Sequence, residues 1–303
     1  MSTEKGIYAW VHNWDSMLTG WRRLQYVQEL AGRLKMEVLR TPMGYAAVDP
    51  FDNLLPPGTS PYLESMAMQP DYHDLFANPR IHTHILTTYT EQAYNESGDW
   101  SDIDLDLEYR EYKALASLLR HYAHKRFILL PWETDNEPVN TANIGDFVEM
   151  TMQRVRGIQD AGASNVFSGV EFAHTSGLVM PRLAEIAPDF ISYSAWEFTA
   201  PLVSDPDPGH LETAFHSKLF TIQDVTKYPT NRIMIGEIGY PPGAALEASR
   251  WVDMVTRVAE DKALSIVVYW NLLEDGNGYG AFDGAGAVRS IGRYWSIFNR
   301  GVL

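Results

Sequence analysis

Eight short strand-like runs punctuate this chain, each followed by helix-patterned or longer irregular sequence. They are Gly6–Val11, Glu37–Arg40, His82–Thr88, Phe127–Trp132, Asn165–Val170, Phe190–Trp196, Arg232–Gly236 and Leu264–Trp270. The apolar ones, such as Phe127–Leu130, read as strands buried on both faces, as parallel strands are. Between them, apolar residues recur at helical spacing over Leu18–Leu34, Tyr72–Ala77, Leu107–His124, Ile144–Ala161, Leu178–Ala187, Leu211–Val225, Ala244–Lys262 and Val288–Phe298. Gly162 and Pro188 stand where helices stop. Eight βα units in succession predict a parallel sheet closed into a (β/α)8 TIM barrel. An open doubly wound sheet is the alternative, but no Gly-rich phosphate turn follows an early strand. No linker or composition break interrupts the pattern, so residues 1–303 read as a single domain. The segment from Thr41 to Arg80 is mostly irregular, and a connection that long is expected to wall a site.

In such a barrel, functional groups sit where strands end and βα loops begin. Those places hold His12, Asn13 and Trp14; Arg40; Tyr89; Glu133 to Glu137; Glu171; Trp196 to Phe198; Glu237; and Trp270 with Asn271. The fourth run, FILLPWETDNEP, passes from core residues straight into Glu133, Asp135 and Glu137. The bland reading is a strand running out into a solvated acidic loop. Against it stands RIMIGEIGYPP, where a second core strand ends on the lone acid Glu237. Burying unpaired carboxylates costs several kcal/mol or shifts their pKa values. The fourth and seventh strands face each other across a barrel mouth, so Glu137 and Glu237 would flank one cleft. Two carboxylates so placed suit glycosidic bond cleavage, one as acid and the other as nucleophile or base. Arg40 near Glu237 would hold it ionised, and the amide of Asn136 could hold a sugar hydroxyl.

Composition limits the partners. The net charge of −15 and a pI near 5.0 exclude the basic footprint that nucleic acid or an anionic membrane requires. No apolar run approaches the roughly 20 residues of a membrane helix. With no cysteine there is neither a disulfide nor a thiolate metal site. The leading MSTEKGIYAW shows no basic region followed by an apolar one, so the chain as written reads as cytoplasmic, or as secreted if a leader was removed.

The motifs together resemble glycoside hydrolase clan A, most closely family 5. WETDNEP is similar to the clan's xExxNEP signature on the fourth strand, and GEIGYP at 236–241 to its GEFG-type nucleophile motif on the seventh. LRTPMGY at 39–45 resembles the second-strand segment with the clan's arginine, YSAWEF at 193–198 the sixth-strand segment, and VVYWNL at 267–272 the eighth-strand segment with its tryptophan. LLEDGNGYGAFD is similar to the eighth loop of clan members, including family 39-like ones. The resemblance implies a retaining β-glycosidase without cofactor, acting on a neutral oligo- or polysaccharide. Glu137 would be the acid/base and Glu237 the nucleophile. Arg40 and Asn136 would support them, and Trp270 would floor the site. One departure is on the sixth strand, where the clan carries a His and a Tyr that bonds the nucleophile. Trp196 and Phe198 occupy those positions here, with Tyr240 and Tyr89 as candidates to replace the missing hydroxyl. The rival reading is a carbohydrate-binding barrel that lost turnover.

Other candidates carry weaker signals. Trp14, Trp100 and Tyr279 could be sugar platforms, although single aromatics are more often packing. His82 and His84 have HxH spacing but precede the active end, so no metal is expected there. His121 and His124 read as a solvated helix face. Asp275 and Asp283 lack the spacing of a calcium loop.

Overall fold

The computed structural model describes residues 3–9, 23–44, 55–56, 58–90, 92, 100–131, 141–198, 206–273, 278–283 and 285–298. Its strands are β1 (Glu4–Tyr8), β2 (Val38–Gly44), β3 (Thr83–Tyr89), β4 (Arg126–Leu130), β5 (Val166–Phe172), β6 (Phe190–Ser194), β7 (Ile233–Gly239) and β8 (Ile266–Trp270). Its helices are α1 (Arg23–Arg33), α2 (Tyr62–Ala67), α3 (Pro70–Ala77), α4 (Leu105–Leu119), α5 (Ile144–Asp160), α6 (Leu183–Ile186), α7 (Pro208–Thr226), α8 (Ala248–Asp261) and α9 (Ser290–Phe298). The strands hydrogen-bond in sequence order and close on themselves as a barrel, the (β/α)8 fold that the alternation predicts. Pairing is parallel between β1 and β2, β1 and β8, β3 and β4, β4 and β5, and β7 and β8. Every residue of β7 and β8 is buried. That is why these strands read as unbroken apolar runs. No described helix is long and apolar enough to cross a membrane.

By backbone contacts the chain divides into two compact units, Met1–Arg40 with Tyr193–Leu303, and Thr41–Ser192. In the first, α8 buries Trp251, Val252, Val255, Val258 and Ala259 along one stripe, the spacing of an amphipathic helix. On α9, Trp295 is fully buried, packs on Tyr269 at 5.5 Å and donates its indole N–H to the Gly6 carbonyl at 2.9 Å. The last helix is thereby tied to the first strand.

The second unit holds a buried charge network. Arg154 on α5 bonds Glu108 on α4 at 2.8 Å, and the Thr90 hydroxyl donates to the same carboxylate. Glu111, one turn along, accepts the N–H groups of Tyr62 and Leu63 at 2.8 and 2.9 Å. First-turn amides have no acceptor within their own helix, so this end of α2 is capped from a distant element.

Three departures from the sequence reading follow. β2 continues to Gly44 where the expected strand stops at Arg40. Pro42 suggests a break, yet its carbonyl accepts the Tyr72 hydroxyl at 2.8 Å, and Gly44 lets β2 approach β3 closely. A Cβ on Gly44 would lie 2.5 Å from the Tyr89 carbonyl oxygen. The expected irregular stretch also contains α2, whose cap residue lies outside its own sequence window. The expected long helices end early: α4 stops at Leu119, and Leu178–Ala187 resolves into a 3-10 turn (Met180–Arg182) and α6.

Candidate active site

The site assembles around the end of β7. Strand register with β8 pairs Ile235 with Val267 but Ile238 with Tyr269, so the ladder shifts across Gly236 and Glu237. A shift of this kind re-aims a side chain and frees backbone groups from the ladder. Here the Gly236 carbonyl accepts Arg40 Nη1 at 3.1 Å, and the Glu237 carbonyl accepts the Ala195 N–H at 2.7 Å.

The Glu237 side chain is 2% exposed. A buried carboxylate needs compensation. Arg40, fully buried on β2, places Nη1 3.3 Å from Oε1. Oε2 accepts the Trp196 indole N–H at 2.9 Å and the Ser194 hydroxyl at 3.3 Å, the second a longer and weaker bond. A cation and two donors all favour the ionised carboxylate. This is the state a nucleophile or a base requires.

Aromatic rings fix these partners. The Arg40 guanidinium lies 4.2 Å from the centroid of the Tyr8 ring, and Tyr8 meets Trp270 edge-on at 4.9 Å. Trp196 stands edge-on to Trp270 at 5.9 Å and to Tyr279 at 5.4 Å. Gly239 leaves room for this: a Cβ there would come within 2.8 Å of Tyr279 Cδ1 and 3.1 Å of the Trp196 ring.

Of the residues expected from sequence, Arg40, Trp196, Trp270 and Glu237 thus converge. Glu137, Asn136 and Trp14 lie outside the described residues, as does Asp275. Tyr89 is buried at the end of β3, in the second unit. The missing sixth-strand hydroxyl is replaced at Glu237 by the Trp196 N–H and the Ser194 hydroxyl. Tyr240 does not take that part; its hydroxyl donates to the Leu246 carbonyl at 2.7 Å. Phe198 packs on Phe215 at 4.7 Å. Sequence reading passed over Ser194 and Tyr8. In the expected strand Phe190–Trp196, parity puts Ser194 on the face of Trp196, which was the available signal, although β6 ends at Ser194 and Trp196 opens a 3-10 turn. Tyr8 read as ordinary core; its register opposite Arg40 was the missing information.

The weaker candidates fall into packing or solvent. Trp100 is buried against Phe147 at 5.1 Å. His121 and His124 are exposed, and so is His82, which precedes β3. His84 is fully buried, stacked on Phe127 at 5.2 Å with Phe76 edge-on at 5.3 Å. Desolvation, helped by Lys125, holds its pKa down to about 3. Asp283 spends Oδ1 on the N–H groups of Ala285 and Ala287 at 3.0 and 2.8 Å, closing its own turn. Among the described residues, Glu212, His216 and Asp261 form a group of possible metal ligands within 4.8 Å of one another. They sit on α7 and the end of α8, Asp261 is exposed, and Glu212 already pairs with Arg257 at 2.9 Å. That is a solvated ion-pair cluster.

No family model matches the sequence, and no curated protein does. Solved structures do match. A GH5_18 from Bifidobacterium longum subsp. infantis superposes with a TM-score of 0.68 at 14% identity, over 99% of this chain and 79% of that one. A GH5_18 variant from Streptomyces cattleya in complex with Manb1-4GlcNAc gives 0.68 at 11%, over 99% and 80%. The exo-beta-1,4-mannosidase Op5Man5 from Opitutaceae bacterium strain TAV5 gives 0.62 at 12%, over 99% and 59%. At such identities the likeness is one of fold.

Proposed function

We propose that this protein is a retaining β-glycoside hydrolase acting on a neutral oligo- or polysaccharide. The observation that carries the reading is the buried Glu237 at the end of β7, ion-paired with Arg40 and bonded by Trp196, against which Trp270 and Tyr279 stand edge-on. A carboxylate kept ionised by a buried arginine and an indole N–H suits attack on an anomeric carbon. The fold shared with GH5_18 structures and a mannosidase supports the same reading, and makes β-1,4-linked mannosides the first substrates to test.

In this reading the Glu237 carboxylate forms a bond to the anomeric carbon as the glycosidic C–O bond breaks. Glu137 gives its proton to the departing oxygen. Water then attacks the glycosyl ester, Glu137 takes back a proton, and Glu237 leaves as a carboxylate. Asn136 holds a sugar hydroxyl, and Trp14 and Tyr89 add to the substrate contacts. The test is proton NMR of a β-linked substrate in the first minutes of hydrolysis. A β-configured first product supports double displacement. An α-anomer formed first recasts Glu237 as the base for a water.

A further inference from the structure

We infer that Trp196 is the positioning residue of Glu237, and that its indole N–H, seconded by the Ser194 hydroxyl, sets the carboxylate's charge state and its quality as a leaving group. The inference rests on reading Glu237 as the nucleophile.

The geometry is specific. Trp196 Nε1 lies 2.9 Å from Oε2, within the range of a strong charge-assisted bond. An indole nitrogen donates and never accepts. Ser194 also meets Oε2, at 3.3 Å, and with the carboxylate ionised it too must donate. Two donors on one oxygen match the ionised form; a proton on Oε2 would have to displace one of them. Unlike a phenol, the indole N–H does not titrate in the working range, so the bond is present at any pH at which Glu237 is charged.

Trp196 is itself immobilised. Trp270 and Tyr279 stand edge-on to it, at interplanar angles of 77° and 89°. Its six-membered ring lies against Gly239, two residues beyond the acid it serves: a Cβ there would sit 3.1 and 3.2 Å from ring carbons. The Ala195 N–H bonds the Glu237 carbonyl at 2.7 Å, fixing the two backbones relative to each other. A residue held on three sides and aimed at one oxygen is built to orient that oxygen.

The chemical consequence runs through the second half-reaction. When the glycosyl ester forms, charge leaves the carboxylate and the N–H bond weakens. When water releases the sugar, charge returns and the bond strengthens. The N–H therefore favours departure of Glu237 from the ester.

The test compares wild type with Trp196→Phe, Ser194→Ala, and a protein carrying a benzothiophene isostere of tryptophan at 196, which keeps the ring and lacks the N–H. The Glu237 carboxyl is titrated by 13C NMR in glutamate-labelled protein, its signal assigned by loss in Glu237→Gln. The isostere is expected to raise that titration, and the acid limb of kcat/KM, by about one pH unit. Deglycosylation should slow roughly 10- to 100-fold, seen as a larger burst on an activated aryl glycoside. Ser194→Ala should give the smaller effect in the same direction. An isostere that titrates like wild type, with an unchanged burst, overturns the inference and leaves Trp196 as wall. If wild type cleaves no β-glycoside, the functional reading falls, while the NMR titration still decides the part of Trp196.

Discussion

Arg40 and Glu237 form an ion pair that neither partner shares with solvent: Nη1 and Oε1 are 3.3 Å apart, and the side chains are 0% and 2% exposed. Pairs of this kind contribute little net stability but cost much when broken, because the surviving charge stays buried. Arg40→Met should therefore destabilise the protein by about 3–5 kcal/mol. The double variant Arg40→Met with Glu237→Gln should recover much of that loss. Denaturant midpoints of the four proteins check it; a single variant as stable as wild type contradicts it.

Gly239→Ala is expected to act on activity more than on stability. The added methyl meets Tyr279 Cδ1 at 2.8 Å and the Trp196 ring at 3.1 Å, so both rings must move. Moving Trp196 lengthens its bond to Glu237. We expect kcat to fall by at least about tenfold, in line with loss of a hydrogen bond to a charged group. The melting temperature should drop by only a few degrees. Equal kcat in the two proteins counts against the slot.

The fold was legible in sequence where burial is two-sided. β4, β7 and β8 are apolar on both faces, and so announce themselves whatever their neighbours do. α2 was not legible, because its N-terminal amides are satisfied by Glu111 on α4 rather than by a local cap. The tail of β2 was hidden by Pro42, whose ring marks a break although its carbonyl still finds the Tyr72 hydroxyl. Glu237 and Arg40 could be picked out as polar residues at strand ends. The pairing of Trp196 with Glu237 could not, because it depends on how β6 and β7 lie side by side, and the clan pattern pointed to a tyrosine instead.

His84 should make the protein sensitive to acid. Its folded pKa is held to about 3 from an ordinary 6.5 by burial between Phe76 and Phe127, with Lys125 adding to the effect. Between those values the unfolded chain binds a proton that the folded one refuses. Stability from this group is full above 6.5 and is lost as pH falls, at about 1.4 kcal/mol per pH unit. His84→Phe should remove that slope. Urea unfolding at pH 6.5 and 4.5 should show wild type losing about 2–3 kcal/mol more than the variant. Parallel losses in the two proteins contradict the assignment.

Glu111→Ala should loosen α2 selectively. It strips the Tyr62 and Leu63 amides of their acceptor while leaving the α4 stripe of Tyr112, Leu115 and Leu119 intact. Loss of a capping acceptor costs about 1–2 kcal/mol. Hydrogen exchange of the Tyr62–Ala67 amides should accelerate roughly 5- to 30-fold relative to those of β4. Uniform acceleration across both would mean global destabilisation instead.

The central claim, that Glu237 is the group that bonds to the sugar, is tested most directly by covalent trapping. A 2-deoxy-2-fluoro β-glycosyl fluoride slows release of the ester and leaves the enzyme labelled on its nucleophile. Trapping with the fluoro sugar whose parent β-glycoside is hydrolysed, followed by peptide mass spectrometry, should place one sugar on the peptide containing RIMIGEIGYPP, at Glu237. Glu237→Gln should take up none. A label on any other carboxylate, or inactivation of the Glu237→Gln protein at the wild-type rate, would contradict the account.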